Sequence, residues 1–596
     1  MQVLNWIKSV VVGTSLIGMA SLSSAWASDN ASSELAALFA DERAFYYAEN
    51  PGTGPRGLPR PVAERMPDVS LDAQKRRAKA NARFLERLDA IEVSGLTDDE
   101  RLNSSMFRFM LEARLTEAKH RTWRMPLYSD SGFHTWPTRA WQSINFRTAA
   151  DYEAYIASLK DMPRYLGDQT EHLRTAIQDG FTMPKVVLDG LLPTFRAIVK
   201  ATAEESSFYG PFRSGMSTVS EADAQVLRAK AKMVIEQELM PAYDRLATFM
   251  EDAYYPAARD SIGISEAQGG AEYYEDMVRY YTTVDISADE VHKIGLQEVA
   301  RIRAAMEAIL EEVGFEGSFK DFLTFLRTDP QFYAKTEKEL MMFASYLAKK
   351  VDGKLPSLFG KLPRQPYGVE PVPAALAPNY TTGRYSGAPL DAPRGGEYWV
   401  NTYALDKRPL YTLPALTLHE AVPGHHLQIA LSKELEDVPE FRLGLYPHAF
   451  GEGWGLYSEK LGEELGLYST PYERFGRLTY EMWRACRLVI DTGIHAKGWT
   501  REAAIALLTD NSALSEHNIR TEVDRYISWP GQALAYKMGE LKIVELREKA
   551  TKALGDKFDV RAFHDRVLSA GGIPLYILED RIDSWIRDES TAANIK

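Results

Sequence analysis

One cysteine, Cys486, serves a chain of 596 residues. No intrachain disulfide framework can form, and no cysteine follows the N-terminal segment to accept a lipid. Positive charge is also in deficit. Lysine and arginine number 70 against 83 aspartates and glutamates, a formal net charge of −13. A protein that tracks a nucleic-acid backbone needs a basic surface, so this balance argues against nucleic acid as a partner. Beyond the N-terminal segment no apolar run is long enough to span a bilayer, which argues against stable membrane insertion. No internal repeat or low-complexity tract stands out.

What is present starts with a leader pattern. Lys8 supplies a short positive region, Val10 to Met19 is apolar, and Ala25-Trp26-Ala27 precedes Ser28 as an A-x-A cleavage site. Residues 1–27 are therefore expected to be a signal peptide. The mature protein is expected to be exported, which in a bacterium means periplasmic or secreted.

From Ser28 to about Ser70 the prolines and glycines around Pro51 to Pro59 point to an extended entry arm. Helical spacing then dominates. Leu71–Ile91, Leu102–Ala118, Tyr152–Ile177, Lys185–Thr202, Ser220–Met250 and Leu340–Val351 all read as helices. Thr97 with Glu100, Ser287 with Glu290 and Thr336 with Glu339 have capping-box spacing. Asp352 to Gly396 is long and irregular, and Glu397–Tyr403 has the residues of a strand. The expected fold is mostly α, with a small β-sheet near the candidate site. Residues 28–351 form a helical region, 352–403 the irregular segment and strand, and 404–596 the helices that carry the chemistry. The strand could be a core hairpin strand, or an edge to which a peptide adds.

Four of the eleven histidines fall between positions 419 and 448, and three of them surround Glu420. Imidazoles beside a carboxylate are what a zinc hydrolase needs. The usual HExxH spacing is missing, because His425 follows His419 by six residues. On an unbroken helix His425 would lie roughly 9 Å up the axis on the wrong face, and His426 about 10 Å away. Neither could share a zinc with His419. Pro423 lacks the N–H that would bond the His419 carbonyl, and Gly424 permits unusual dihedrals. We therefore expect a break that brings one histidine back. His425 is assigned as the second ligand, with His426 as the alternative. Glu452 is the candidate third ligand, on a second helix, with His448 a competitor. Glu459 lies two turns further on the same face and could orient a ligand histidine.

These residues resemble known enzymes. Glu452-Gly453-Trp454 with Tyr457 and Glu459 resembles the E-G-F-A-x-Y-x-E helix of gluzincin aminopeptidases, which supplies their third ligand. Gly424-His425 resembles the G-H of thimet-oligopeptidase-like and carboxypeptidase-Taq-like enzymes, with two residues inserted. Met66-Pro67-Asp68, Gly180-Phe181-Thr182-Met183-Pro184, Tyr398-Trp399-Val400-Asn401-Thr402 and Trp529-Pro530-Gly531-Gln532-Ala533 extend the likeness to a bacterial family catalogued as domain of unknown function 885, regarded as zinc-peptidase-like. The stretch from His517 to Tyr526 is similar to the H…R-Y region of angiotensin-converting-enzyme-like peptidases. By position, that likeness implies Tyr526 for the oxyanion and His517 for the substrate backbone. Tyr536 and His495 are rival donors, and Arg525 could neutralise a carboxylate. The resemblance further implies a two-lobed helical metallopeptidase with a deep central cleft that admits short peptides.

The resulting expectation is an exported zinc metallopeptidase. His419, His425 and Glu452 hold Zn2+, and Glu420 is the general base. Two other readings share much of this sequence: a zinc amidase or esterase acting on a non-peptide or cell-wall amide, and a non-catalytic periplasmic binding protein. Intact Glu420 argues against the binding protein.

Overall fold

A computed structural model describes residues 30–54, 61–213, 216–374, 377–390 and 394–592. The leader and its cleavage site lie outside the described residues. The rest is mostly helical. Residues 30–49 form helix α1, where an extended arm was expected. Ala31, Leu35 and Leu38 are buried on one face of it, so the helix is held by packing and not by local propensity alone. Helix α2 (Leu71–Asp89) packs on α3 (Asp98–His120), and α3 opens with the expected capping box between Thr97 and Glu100. The stretch expected as one helix from Ser220 to Met250 contains one π-helical turn, Ile235–Leu239, and runs into a second, Met250–Tyr254. Pro241 and Pro256 follow just after them, and each removes a backbone donor from the ladder.

Further along, α4 (Gly270–Thr282) leads to α5 (Ala288–Glu312), which has the expected Ser287–Glu290 capping box. The segment expected to be irregular contains two strands, β1 (Tyr367–Pro371) and β2 (Gly383–Ser386), and β3 (Gly396–Val400) follows. The sheet order is β1-β3-β2, with β1 parallel and β2 antiparallel to β3. The predicted strand is thus the central one. It is paired on both sides and cannot offer an edge. The edges of the sheet are β1 and β2.

Five helices complete the frame of the site. They are α6 (Leu413–Glu420), α7 (His425–Lys433), α8 (His448–Glu464), α9 (Pro471–Lys497) and α10 (Ala535–Leu554). Helix α9 is buried on every side from Leu478 to His495, so it forms the axis of the C-terminal half. Its buried charges are paired: Glu481 with Lys537 and Arg477, and Arg487 with Glu522. Helix α5 packs along α9, α8 packs along α10, and α6 rests on α8. One large hydrophobic cluster joins the N-terminal helices to these C-terminal ones, and a smaller cluster gathers around α4.

Candidate metal centre

The chain from Leu413 to Lys433 is two helices, not one. Helix α6 stops at Glu420 and α7 starts at His425. Between them the Val422–Pro423 peptide is cis. A Cβ on Gly424 would overlap the carbonyl oxygens of His419 and Leu418. Only glycine lets the returning chain pass this close under the end of α6. The indole of Trp454 donates to the Pro423 carbonyl at 2.8 Å and pins the turn to α8.

The break brings His419 and His425 side by side, with ring centroids 4.7 Å apart and planes at 89°. Glu452 Oε2 lies 3.7 Å from His419 Nε2 and 3.5 Å from His425 Nε2. The three donor atoms all lie within 4.8 Å of one another. Tetrahedral coordination at zinc bond lengths separates ligand atoms by about 3.4 Å. This donor set therefore fits a metal ion with little adjustment.

The surroundings favour a cation. Glu459 Oε1 accepts from His419 Nδ1 at 2.8 Å, which fixes the tautomer and aims Nε2 at the centre. Burial alone would depress the His419 pKa, but Glu452 and Glu459 outweigh it and push it up to about 10. Burial would raise Glu452, yet His419 and His425 hold it well below the usual carboxylate range. Gly455 sits against His419, where a Cβ would stand 2.7 Å from Cε1 and 2.8 Å from Nε2. Helix α8 thus backs the ring directly.

Glu420, adjacent to His419, turns its carboxylate to the sheet. Its Oε2 accepts the Tyr385 N–H of β2 at 2.8 Å. That N–H points away from β3, so the outer side of β2 faces Glu420. His426 is drawn off to the same sheet. Its Nδ1 is hydrogen-bonded to the Tyr385 hydroxyl at 3.0 Å, and its ring lies 4.6 Å from Tyr367. The alternative ligand is therefore not in the cluster.

Residues 53–582 match the family described as "Bacterial protein of unknown function (DUF885)". The chain belongs to that family. Within solved structures, it is similar to a protein from Colwellia psychrerythraea described as a lipoprotein. The two are 28% identical with a TM-score of 0.84, over 94% of this chain and 100% of that one. A protein of unknown function from Shewanella oneidensis, also described as a lipoprotein, shares the fold at 18% identity and a TM-score of 0.67, over 87% and 93% of the two chains. No curated protein matches the sequence.

The other expected site residues of this family member lie elsewhere. Tyr526 is a core residue, 1% exposed, whose hydroxyl accepts from Trp483 Nε1 and Arg487 Nε, both at 2.9 Å. The phenol is held by the core around α9, and no hydrogen bond ties it to the three donors. His517 also departs from expectation. It is exposed on the first turn of the helix Glu516–Ser528, and no hydrogen bond or ion pair ties it to the cluster. His495 is buried, accepting from the Ile264 N–H and donating to the Tyr526 carbonyl. His448 packs between Tyr446 and Tyr281 rather than joining the three donors.

The sequence reading missed Tyr446. Its hydroxyl is 3.4 Å from Glu452 Oε1. Tyr446 is exposed overall, but crowding around its hydroxyl, and then the charge of Glu452, keep the phenol well above its ordinary pKa, so it stays a neutral O–H donor. Tyr536 was a rival candidate. Its hydroxyl accepts from Arg525 Nη2 at 3.4 Å, and its ring lies 4.2 Å beneath the Arg487 guanidinium.

Proposed function

We propose that this protein is a divalent-metal hydrolase, with zinc as its metal, that cleaves short peptides. The observation that carries the reading is the convergence of His419, His425 and Glu452 at metal-ligand separations, with the charge of the neighbouring Glu420 acting on His419. Two imidazoles and a carboxylate are a catalytic zinc donor set that leaves a position open for water. Zinc bound there supplies Lewis acidity, making water a stronger nucleophile and polarising the scissile carbonyl.

The chain's own residues do the rest. Glu420 takes the proton of the attacking water and returns it to the leaving nitrogen. Its Oε2 is fixed by Tyr385, which leaves Oε1 for that proton. Tyr446 reaches the centre with a neutral hydroxyl and donates to the developing oxyanion. A peptide lying beside β2 would pair with its outward groups other than the Tyr385 N–H, which Glu420 holds, and present its carbonyl to the centre. Glu459 keeps His419 in the tautomer that the site needs. An exported location fits the leader pattern and the description of the Colwellia relative as a lipoprotein.

Metal analysis combined with digestion of a peptide mixture, read by mass spectrometry, tests the reading. About one zinc per chain is expected, with new peptide termini that vanish on chelation. Glu420→Gln should keep the zinc and lose turnover. Wild-type turnover in that variant excludes Glu420 as the base. A zinc-loaded protein that cuts no peptide defeats the peptidase reading in favour of an amidase or esterase on other substrates, or of a binding protein.

A further inference from the structure

A cavity of about 850 Å³ lies between α1, α2, α3 and α4 and the segment that follows Tyr526. Its walls are rich in aromatic rings, among them Tyr128, Tyr273, Tyr280, Tyr281 and Trp529. One carboxylate in this wall stands apart. Among the described residues Glu117, on α3, has no hydrogen bond or ion pair to its side chain, although it is open to the cavity. The cations of the same wall are engaged elsewhere. Arg77 is paired with Glu49, Arg114 with Glu42, and Arg121 with Asp179, while Lys75 lies 3.7 Å from Asp72.

The surroundings of Glu117 are phenolic. Glu117 is an exposed residue, yet crowding by the wall raises its pKa, and Arg114 opposes that rise only in part. Burial, and then the charge of Glu117, push the Tyr280 phenol up to about 12. The same charge acts on Tyr128 and Tyr273. A carboxylate among aromatic faces is a receptor for an ammonium group: the carboxylate supplies the counter-charge, and ring quadrupoles attract the cation.

Two rings of the cavity wall pack toward helix α8, which carries Glu452. Tyr281 and Trp529 have ring centroids 5.2 and 6.2 Å from that of His448. His448 lies four residues before Glu452 on α8, one turn away on the same face. Tyr446 closes the remaining step, with its ring 5.3 Å from His448 and its hydroxyl on Glu452. An extended peptide advances about 3.3 Å per residue, so a short peptide is the class of ligand that could reach from this wall toward Glu452.

We propose that Glu117 and the tyrosines around it form a subsite for a primary ammonium group of the peptide substrate. This rests on the hydrolase reading for the identity of the ligand as a substrate, but its binding is measurable without turnover. Trp123 and Trp529 line the cavity and report occupancy by their fluorescence. The probes are tetraalanine, N-acetyl-tetraalanine and N-acetyl-Lys-Ala-Ala-Ala, titrated into the full-length Glu420→Gln protein so that none is consumed. At least one ammonium-bearing probe should bind tenfold or more tighter than N-acetyl-tetraalanine. Tetraalanine as the tighter ligand identifies the chain terminus, and the lysyl peptide identifies a side chain. Adding Glu117→Gln should bring the ratio to about one, with the N-acetyl-tetraalanine affinity unchanged. Equal affinities for all three probes, no binding of any, or a ratio that survives Glu117→Gln would each overturn the subsite. Failure of the hydrolase reading would show separately, as wild-type protein that binds these peptides but leaves them intact. The wild-type affinity ratio, measured at times before any cleavage, decides the matter if the double variant does not fold.

Discussion

Gly455→Ala separates metal binding from folding at a single methyl group. The added Cβ would stand 2.7 Å from His419 Cε1, and ordinary contact begins near 3.4 Å, so the ring must retreat by about 0.7 Å. His419 is buried and tied to Glu459, so it has little room to do so. Metal–ligand bonds tolerate errors of about 0.2 Å, so a displacement of this size removes a ligand or distorts the whole set. The cost to the metal-free fold is smaller. Overpacking costs about 1–3 kcal/mol, and replacing glycine within a helix returns about 1 kcal/mol. The metal-free variant should therefore melt within a few degrees of wild type. The metal-loaded proteins should differ more. At a zinc concentration a hundredfold above Kd, wild type gains about 2.7 kcal/mol, and a variant weakened a hundredfold gains only about 0.4 kcal/mol. Zinc competition against a chromophoric chelator measures the affinity, and melting with and without zinc measures the linkage. A variant that keeps wild-type zinc affinity would show that His419 is not a ligand.

Glu459→Gln should lower zinc affinity about 10- to 100-fold, by the same competition assay, because it weakens the anchor on His419 Nδ1. Tyr446→Phe should cut kcat by about 10²–10³ with zinc content unchanged, whereas Tyr526→Phe should lower stability by about 1–3 kcal/mol, because two buried donors lose their acceptor. Peptide cleavage and chemical denaturation tell these two tyrosines apart. Asp491 gives a pH prediction. Burial raises its pKa to about 7, against the opposing bonds from Tyr274 and the Gly531 N–H. The folded pKa lies above the unfolded one, so the neutral form favours the fold, and that stability is lost as pH rises from about 4 to 7. Asp491→Asn should flatten the Tm profile across this window relative to wild type, and parallel profiles would refute the assignment.

Much of the architecture is legible because it is local. The Thr97–Glu100 and Ser287–Glu290 caps place two helix starts to within a residue, and apolar spacing finds the helices behind them. The first helix was not legible in this way. Glycine and proline near Pro55 dominate the composition of its region, while the reason it folds, burial of Ala31, Leu35 and Leu38, depends on partners far along the chain. The same holds for the sheet. β1 and β2 are short and lie in a stretch rich in proline and glycine, and β3 supplies the pairing that makes them strands.

The candidate site divides along a similar line, with a useful asymmetry. The break at Pro423-Gly424 could be argued from the chain alone, because the alternative was sterically impossible: no straight helix can bring residues six apart onto one ion. That argument does not distinguish His425 from His426. What does is the start of α7 at His425 and the position of β2, whose Tyr385 both binds His426 and fixes Glu420. The two tyrosines show the opposite failure. Tyr526 follows a histidine and an arginine much as the resemblance has it, one residue nearer the histidine, but its hydroxyl is taken by Trp483 and Arg487 of α9. Tyr446 has no spacing to mark it among 30 tyrosines, and it reaches Glu452 only because the loop before α8 folds back over that helix. Ligands on neighbouring turns are constrained by helix geometry and can be read from spacing. A donor that would meet a substrate from across the site is constrained only by the fold: of the two phenols, Tyr446 lies beside Glu452 and Tyr526 lies in the core around α9.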